Sequence, residues 1–157
     1  MTHREWPDLT QEDRPSVDTM TPSTRVDLNH NRIARMEGLD ELAKLLFPGN
    51  KNQQRTFLGI FVELKWAKDQ FLPTLERVAD KHGTSHRTLE TVRAKMRRLG
   101  IIDHVSRFNK RHGYREGWVF SRRFAHSLTR LDELLSNHRD PRSATQEKKD
   151  RDCHRYL

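Results

Sequence analysis

The chain has 157 residues, 33% hydrophobic and 33% charged, with a net charge of +8 and one cysteine. A lone Cys153 excludes an intrachain disulfide, and no apolar run reaches the length of a membrane span. A disulfide-stapled secreted scaffold and an integral membrane protein are thereby set aside; the opening Met1-Thr-His-Arg-Glu-Trp-Pro-Asp stretch also lacks a signal-peptide core, so the expected compartment is the cytoplasm, on the nucleoid if the source is bacterial or archaeal.

The apolar residues are unevenly spread. Residues 1–24 and 139–157 together hold 9 of them, too few for a core, whereas residues 52–135 hold 32. The expected organisation is a disordered tail over 1–24, a short docking helix and linker over 25–49, one folded domain over 50–138 and a disordered tail over 139–157.

Within 25–49, Leu39, Leu42, Leu45 and Leu46 recur at helical spacing before Pro48-Gly49 closes the helix. It reads as a helix docked on the domain, or alternatively as one that binds a partner. Asn50 to Gln54 is a polar start, after which Phe57, Ile60, Phe61 and Leu64 mark the first core helix, ending near Lys68. Gln70-Phe71-Leu72 suits an edge strand that Pro73 stops, and Thr74 caps the next helix. That helix buries Leu75, Val78 and Ala79 and ends at Gly83. Ser85 caps a second helix, 85–99, with Leu89, Val92, Met96 and Leu99 on one stripe and Gly100 as its stop.

Beyond Gly100, Ile102 to Phe108 alternates in the manner of a half-covered strand. The polar loop 109–117 carries two glycines and a basic tip, and Trp118 and Phe120 point together into the core at the base of the resulting hairpin. Ser121 caps a last helix, 122–136, on which Phe124, Leu128, Leu131 and Leu135 repeat at four, three and four residues, widened by Leu134. This stripe packs against the first core helix or, alternatively, forms a homodimer seam. The fold class expected is mainly α with a small β-hairpin or three-stranded sheet, an extra N-terminal helix and a long C-terminal helix.

Ala79, Gly83 and Leu89 hold the small-residue, glycine and aliphatic spacing with which two helices cross at a tight turn. This resembles the helix-turn-helix of DNA-binding proteins, and the hairpin after Gly100 makes the likeness one to the winged helix-turn-helix superfamily, over roughly residues 54–135. His82 and Thr84 depart from it, standing where the family usually has apolar residues. The resemblance implies a DNA-binding, non-enzymatic protein: a transcriptional regulator, or a replication or mobile-element accessory factor.

Charge points the same way. Between His86 and Arg123 lie eleven basic residues against three acids, a surplus of eight that equals the whole net charge. Such a surface suits phosphates. With the buried stripe fixed, a rotation of 100° per residue puts Arg87, Glu90, Thr91, Ala94 and Arg98 on the outward side of the second helix. There Arg87 and Arg98 can reach guanine, Thr91 a base edge or thymine methyl, and Glu90 cytosine, while Ala94 lets the helix sit deep. Ser85 at the helix start, Lys95 and Arg97 on its flanks, and Lys110, Arg111 and Arg115 of the wing complete the expected DNA-binding set. His82 and His86 straddle the turn rather than share a face, so no metal or cofactor is expected, and no nucleophile with its base is recognisable. The rival to duplex DNA is an interaction module whose basic face meets RNA or an acidic protein.

Overall fold

The computed structural model describes residues 23–110, 113–153 and 155–156. The chain is mainly helical, with one small three-stranded antiparallel sheet among those residues. The tail expected over 1–24 therefore falls outside the described residues up to position 22, as do Arg111 and His112.

Asn29 caps a short helix, α1 (His30–Ala34), by accepting from the Arg32 amide at 3.1 Å; the sequence pattern gave no sign of this helix. Next comes α2 (Leu39–Leu46), where the Glu41 carboxylate accepts from the amides of Glu37 and Gly38, at 2.8 and 3.3 Å, and those two donors hold its pKa below the usual carboxylate range. Ala43, Leu45, Leu46 and Phe47 are buried here, so the expected docking helix packs on the domain.

Asn50 caps α3 (Lys51–Trp66), which buries Phe57, Ile60 and Leu64 and touches α2 as well as the two helices and the sheet that follow. A turn over Lys68–Gln70 leads into β1 (Phe71–Leu72), then α4 (Glu76–His82) and α5 (His86–Leu99). Between α4 and α5, Gly83 adopts the left-handed conformation with φ 63°, and the Ser85 hydroxyl accepts from the Thr88 amide at 3.2 Å.

His82 and Thr84 join this turn to α3 through polar contacts. Glu63 of α3 accepts from Lys81 Nζ at 2.6 Å and lies 3.2 Å from His82 Nε2, while Thr84 Oγ1 is 3.4 Å from Thr56 Oγ1. The His82 ring can lie there because α3 has Gly59 at the crossing: a β-carbon on Gly59 would stand 3.1 Å from His82 Cδ2.

After Gly100 come β2 (Ile102–Asn109) and β3 (Gly113–Phe120), paired from Ile102 with Phe120 to Asn109 with Gly113. The strand order is β1-β3-β2, with Phe71 opposite Val119 and Leu72 opposite Trp118. Ile102 and Trp118 are buried, and the rings of Phe47, Phe57, Phe61 and Phe120 run in sequence across the core at 5.0–5.7 Å between centroids.

Then α6 (Arg123–Arg139) starts against Gly100, whose φ of 82° and 2.6 Å clearance to Arg123 Cβ admit only glycine. Beyond its first turn α6 leaves the domain. Leu128, Leu131, Leu134 and Leu135 are 38–59% exposed and no residue of α6 is buried, so the expected packing of this stripe on α3 does not occur; only Phe124 packs on the core. A second departure lies in 139–157, which contains α7 (Ala144–Cys153) in place of a structureless tail. It has no buried residue; Ser143 caps it, and Glu147–Arg151 and Gln146–Asp150 pairs one turn apart support it.

Candidate nucleic-acid interface

Helix α5 has three kinds of surface. Leu89, Val92 and Met96 face the core; Arg87, Thr91 and Arg98 are exposed on the outward side; Arg93, Ala94 and Arg97 turn toward the hairpin. The outward assignment of Arg87, Thr91 and Arg98 thus agrees with their exposure. Ala94 is half-buried, at the floor of an open groove of about 810 Å³ between α5, the hairpin root and the start of α6. Arg93, Arg97, Arg98, His104, Trp118 and Arg123 line this groove together with Asp103.

Trp118 organises the groove wall. Its ring has the Arg93 guanidinium 5.3 Å from the centroid on one side and the His104 ring in edge contact, 4.9 Å between centroids, on another. Arg123 pairs with Asp103 and donates to the carbonyl of Arg97 at 3.1 Å, fixing the end of α5 to the hairpin and to α6. Burial pushes the Asp103 carboxyl up, but the Ser121 hydroxyl and the Arg123 guanidinium outweigh it, and its pKa lies below the ordinary 3.8.

Four residues of the expected set are otherwise engaged. Lys95 is buried: Nζ donates to the Arg25 carbonyl at 2.5 Å and stands 4.6 Å from the centre of the Phe47 ring, so it is no phosphate ligand. The stretch before α1 and the end of α2 close over that flank of α5, which the helical wheel alone does not register. Glu90 is tied back to Arg93 and lies 3.9 Å from His86, so its carboxylate is already satisfied rather than free for cytosine. Arg115 sits on the hairpin face opposite the groove, paired with Asp69 at 3.3 Å and 5.4 Å over the Phe71 ring. Ser85 is exposed, with its oxygen committed to the cap and to Thr88 Oγ1 at 2.8 Å.

The remaining cations stand free. Among the described residues, Arg87, Arg97, Arg98, Arg107, Lys110 and Arg122 are exposed and have no carboxylate at ion-pair distance. Unpaired guanidinium groups along one helix and its adjoining hairpin suit a polyanion. Arg93, His104, Trp118 and Arg123 were absent from the expected set. The alternation in β2 and β3 placed His104 and Trp118 on one face, but nothing in the sequence said that this face meets Arg97 and Arg98.

Among the described residues no three His, Cys, Asp or Glu side chains converge as a metal site, and no helix is long and apolar enough to cross a membrane. No protein-family model, curated protein or solved structure matches the chain.

Proposed function

We propose that this chain binds double-stranded DNA as a winged helix-turn-helix, with α5 in the major groove and the β2–β3 hairpin as a wing along the backbone or minor groove. The observation that carries the reading is the set of six exposed cations without carboxylate partners on α5, the hairpin and the start of α6. Exposed cations left unpaired while Arg93, Arg115 and Arg123 find carboxylates are a surface kept for an external anion. The order of elements supports it too: α4, a tight turn, α5 and then a hairpin is the arrangement that the Ala79, Gly83 and Leu89 spacing implies.

On this reading Arg87 and Arg98 read base edges, Thr91 offers a methyl and a hydroxyl, and Ala94 admits the groove edge. Arg97, Arg107, Lys110 and Arg122 take phosphates. A transcriptional regulator or a replication or mobile-element accessory factor would act this way, in the cytoplasm or on the nucleoid.

The uncovered leucines of α6 favour a second component of the proposal: two copies pair through helix 122–136. Their a/d-like spacing is self-complementary, and a pair of chains would present two α5 helices to two half-sites. The test of the function is competition. Labelled duplex DNA bound by the full chain is challenged with unlabelled duplex, single strands and RNA at fixed salt. Displacement by duplex at the lowest concentration supports the proposal; displacement by RNA first moves the basic face to the RNA-binding alternative.

A further inference from the structure

The hairpin face that walls the basic groove does not end at its root. Because β2 and β3 alternate in register, Ile102, His104, Ser106 and Phe108 share one face with Phe120, Trp118, Glu116 and Tyr114. From root to tip this face passes from core (Ile102 and Phe120) to groove wall (His104 and Trp118), to a polar pair, and finally to an aromatic pair in solvent. Phe108 is 76% exposed and Tyr114, directly opposite it, is 63% exposed. At about 3.3 Å per residue the pair lies roughly 13 Å beyond the groove wall. Tyr114 is held in place, since its hydroxyl bonds to Ser106 Oγ and lies 3.4 Å from Glu116 Oε2. Phe108 carries no polar group at all.

Two rings side by side at the end of a projecting arm cost solubility and contribute nothing to the core. Their neighbours say what covers them: Arg107 and Lys110 are exposed and unpaired, so the tip is cationic as well as aromatic. Aromatic faces flanked by cations match a nucleobase flanked by its phosphates, whereas an apolar protein partner would be repelled by neither charge nor drawn by it. Resting on the DNA-binding reading above, we propose that the wing tip is a stacking wedge: Phe108 and Tyr114 enter the base stack of the bound duplex at one step and unstack a base there.

The experiment places 2-aminopurine at successive positions of a bound duplex and reads its fluorescence on adding the full chain, wild type or with Phe108→Ala or Tyr114→Ala. The wedge predicts a several-fold rise at one position with wild type, loss of that rise in both variants, and about tenfold weaker binding. Thermal melting of the variants should match wild type, because the tip lies outside the core. Duplex bound with fluorescence flat at every position overturns the wedge and leaves DNA binding standing. Failure of wild type to bind any duplex overturns both.

Discussion

Lys95 donates to the backbone carbonyl of Arg25 at 2.5 Å, a link that spans 70 positions of sequence and fastens the stretch before α1 to the middle of the helix proposed to read DNA. Burial, with the nearby Arg25 charge adding to it, lowers the Lys95 pKa from 10.5. The residue is thus structural although it lies inside the basic stretch. Lys95→Ala should cost about 1–3 kcal/mol in urea unfolding, because it leaves a polar carbonyl and a space beside Phe47. The salt dependence of DNA binding should not change. A variant as stable as wild type but with a shallower salt slope would return Lys95 to the surface.

A second prediction concerns acid. The Lys81 ammonium first, and His82 after it, hold the Glu63 carboxyl below its ordinary value of 4.5 against the opposing effect of burial. A depressed folded-state pKa stabilises fully above 4.5, and that contribution disappears as pH falls through the folded value. Melting temperatures of wild type and Glu63→Gln should therefore differ at pH 7 and converge as pH drops below 4.5. A gap that widens in acid would mean that Glu63 is not the group linking α3 to the turn.

The sequence made the core legible because burial there follows period alone. Leu89, Val92 and Met96 on α5, or Ile102 and Trp118 at the hairpin root, need no knowledge of distant segments to be placed inside. The two-residue β1 was legible as well, since Pro73 ends an apolar pair before a helix cap. What escaped were choices made between elements. Lys95 is buried by a carbonyl seventy positions away, Arg115 is claimed by Asp69 across the sheet, and the α6 stripe finds no α3 surface because Phe57, Ile60 and Leu64 are already covered by other elements. A helical wheel reports which side of a helix a residue occupies. It does not report what else comes to that side.

The exposed leucines of α6 make a third prediction. Sedimentation equilibrium should find the full chain as a dimer, and Leu131→Glu as a monomer with an unchanged core, since no α6 residue is buried within one chain. A wild-type chain that stays monomeric at the concentrations used for binding would remove the seam.

Readout separates α5 from the wing. Arg87→Ala and Arg98→Ala should each lose about 1–3 kcal/mol on a selected site and blur discrimination at one or two base pairs. Lys110→Ala should weaken all duplexes alike, because phosphates carry no sequence. Exposed Arg to Ala changes in a helix leave the fold intact. Equal losses on selected and random duplex for both Arg variants would mean that α5 does not read bases.

The most direct measurement is the salt dependence of duplex affinity for wild type and for the combined Arg87→Ala, Arg97→Ala and Arg98→Ala variant. With six unpaired cations each displacing a counterion, the logarithm of affinity should fall against the logarithm of salt with a slope of about −5, and removal of the three on α5 should bring it to about −3. A wild-type slope near zero, or one that the triple substitution leaves untouched, would contradict the assignment of α5 and its groove to DNA.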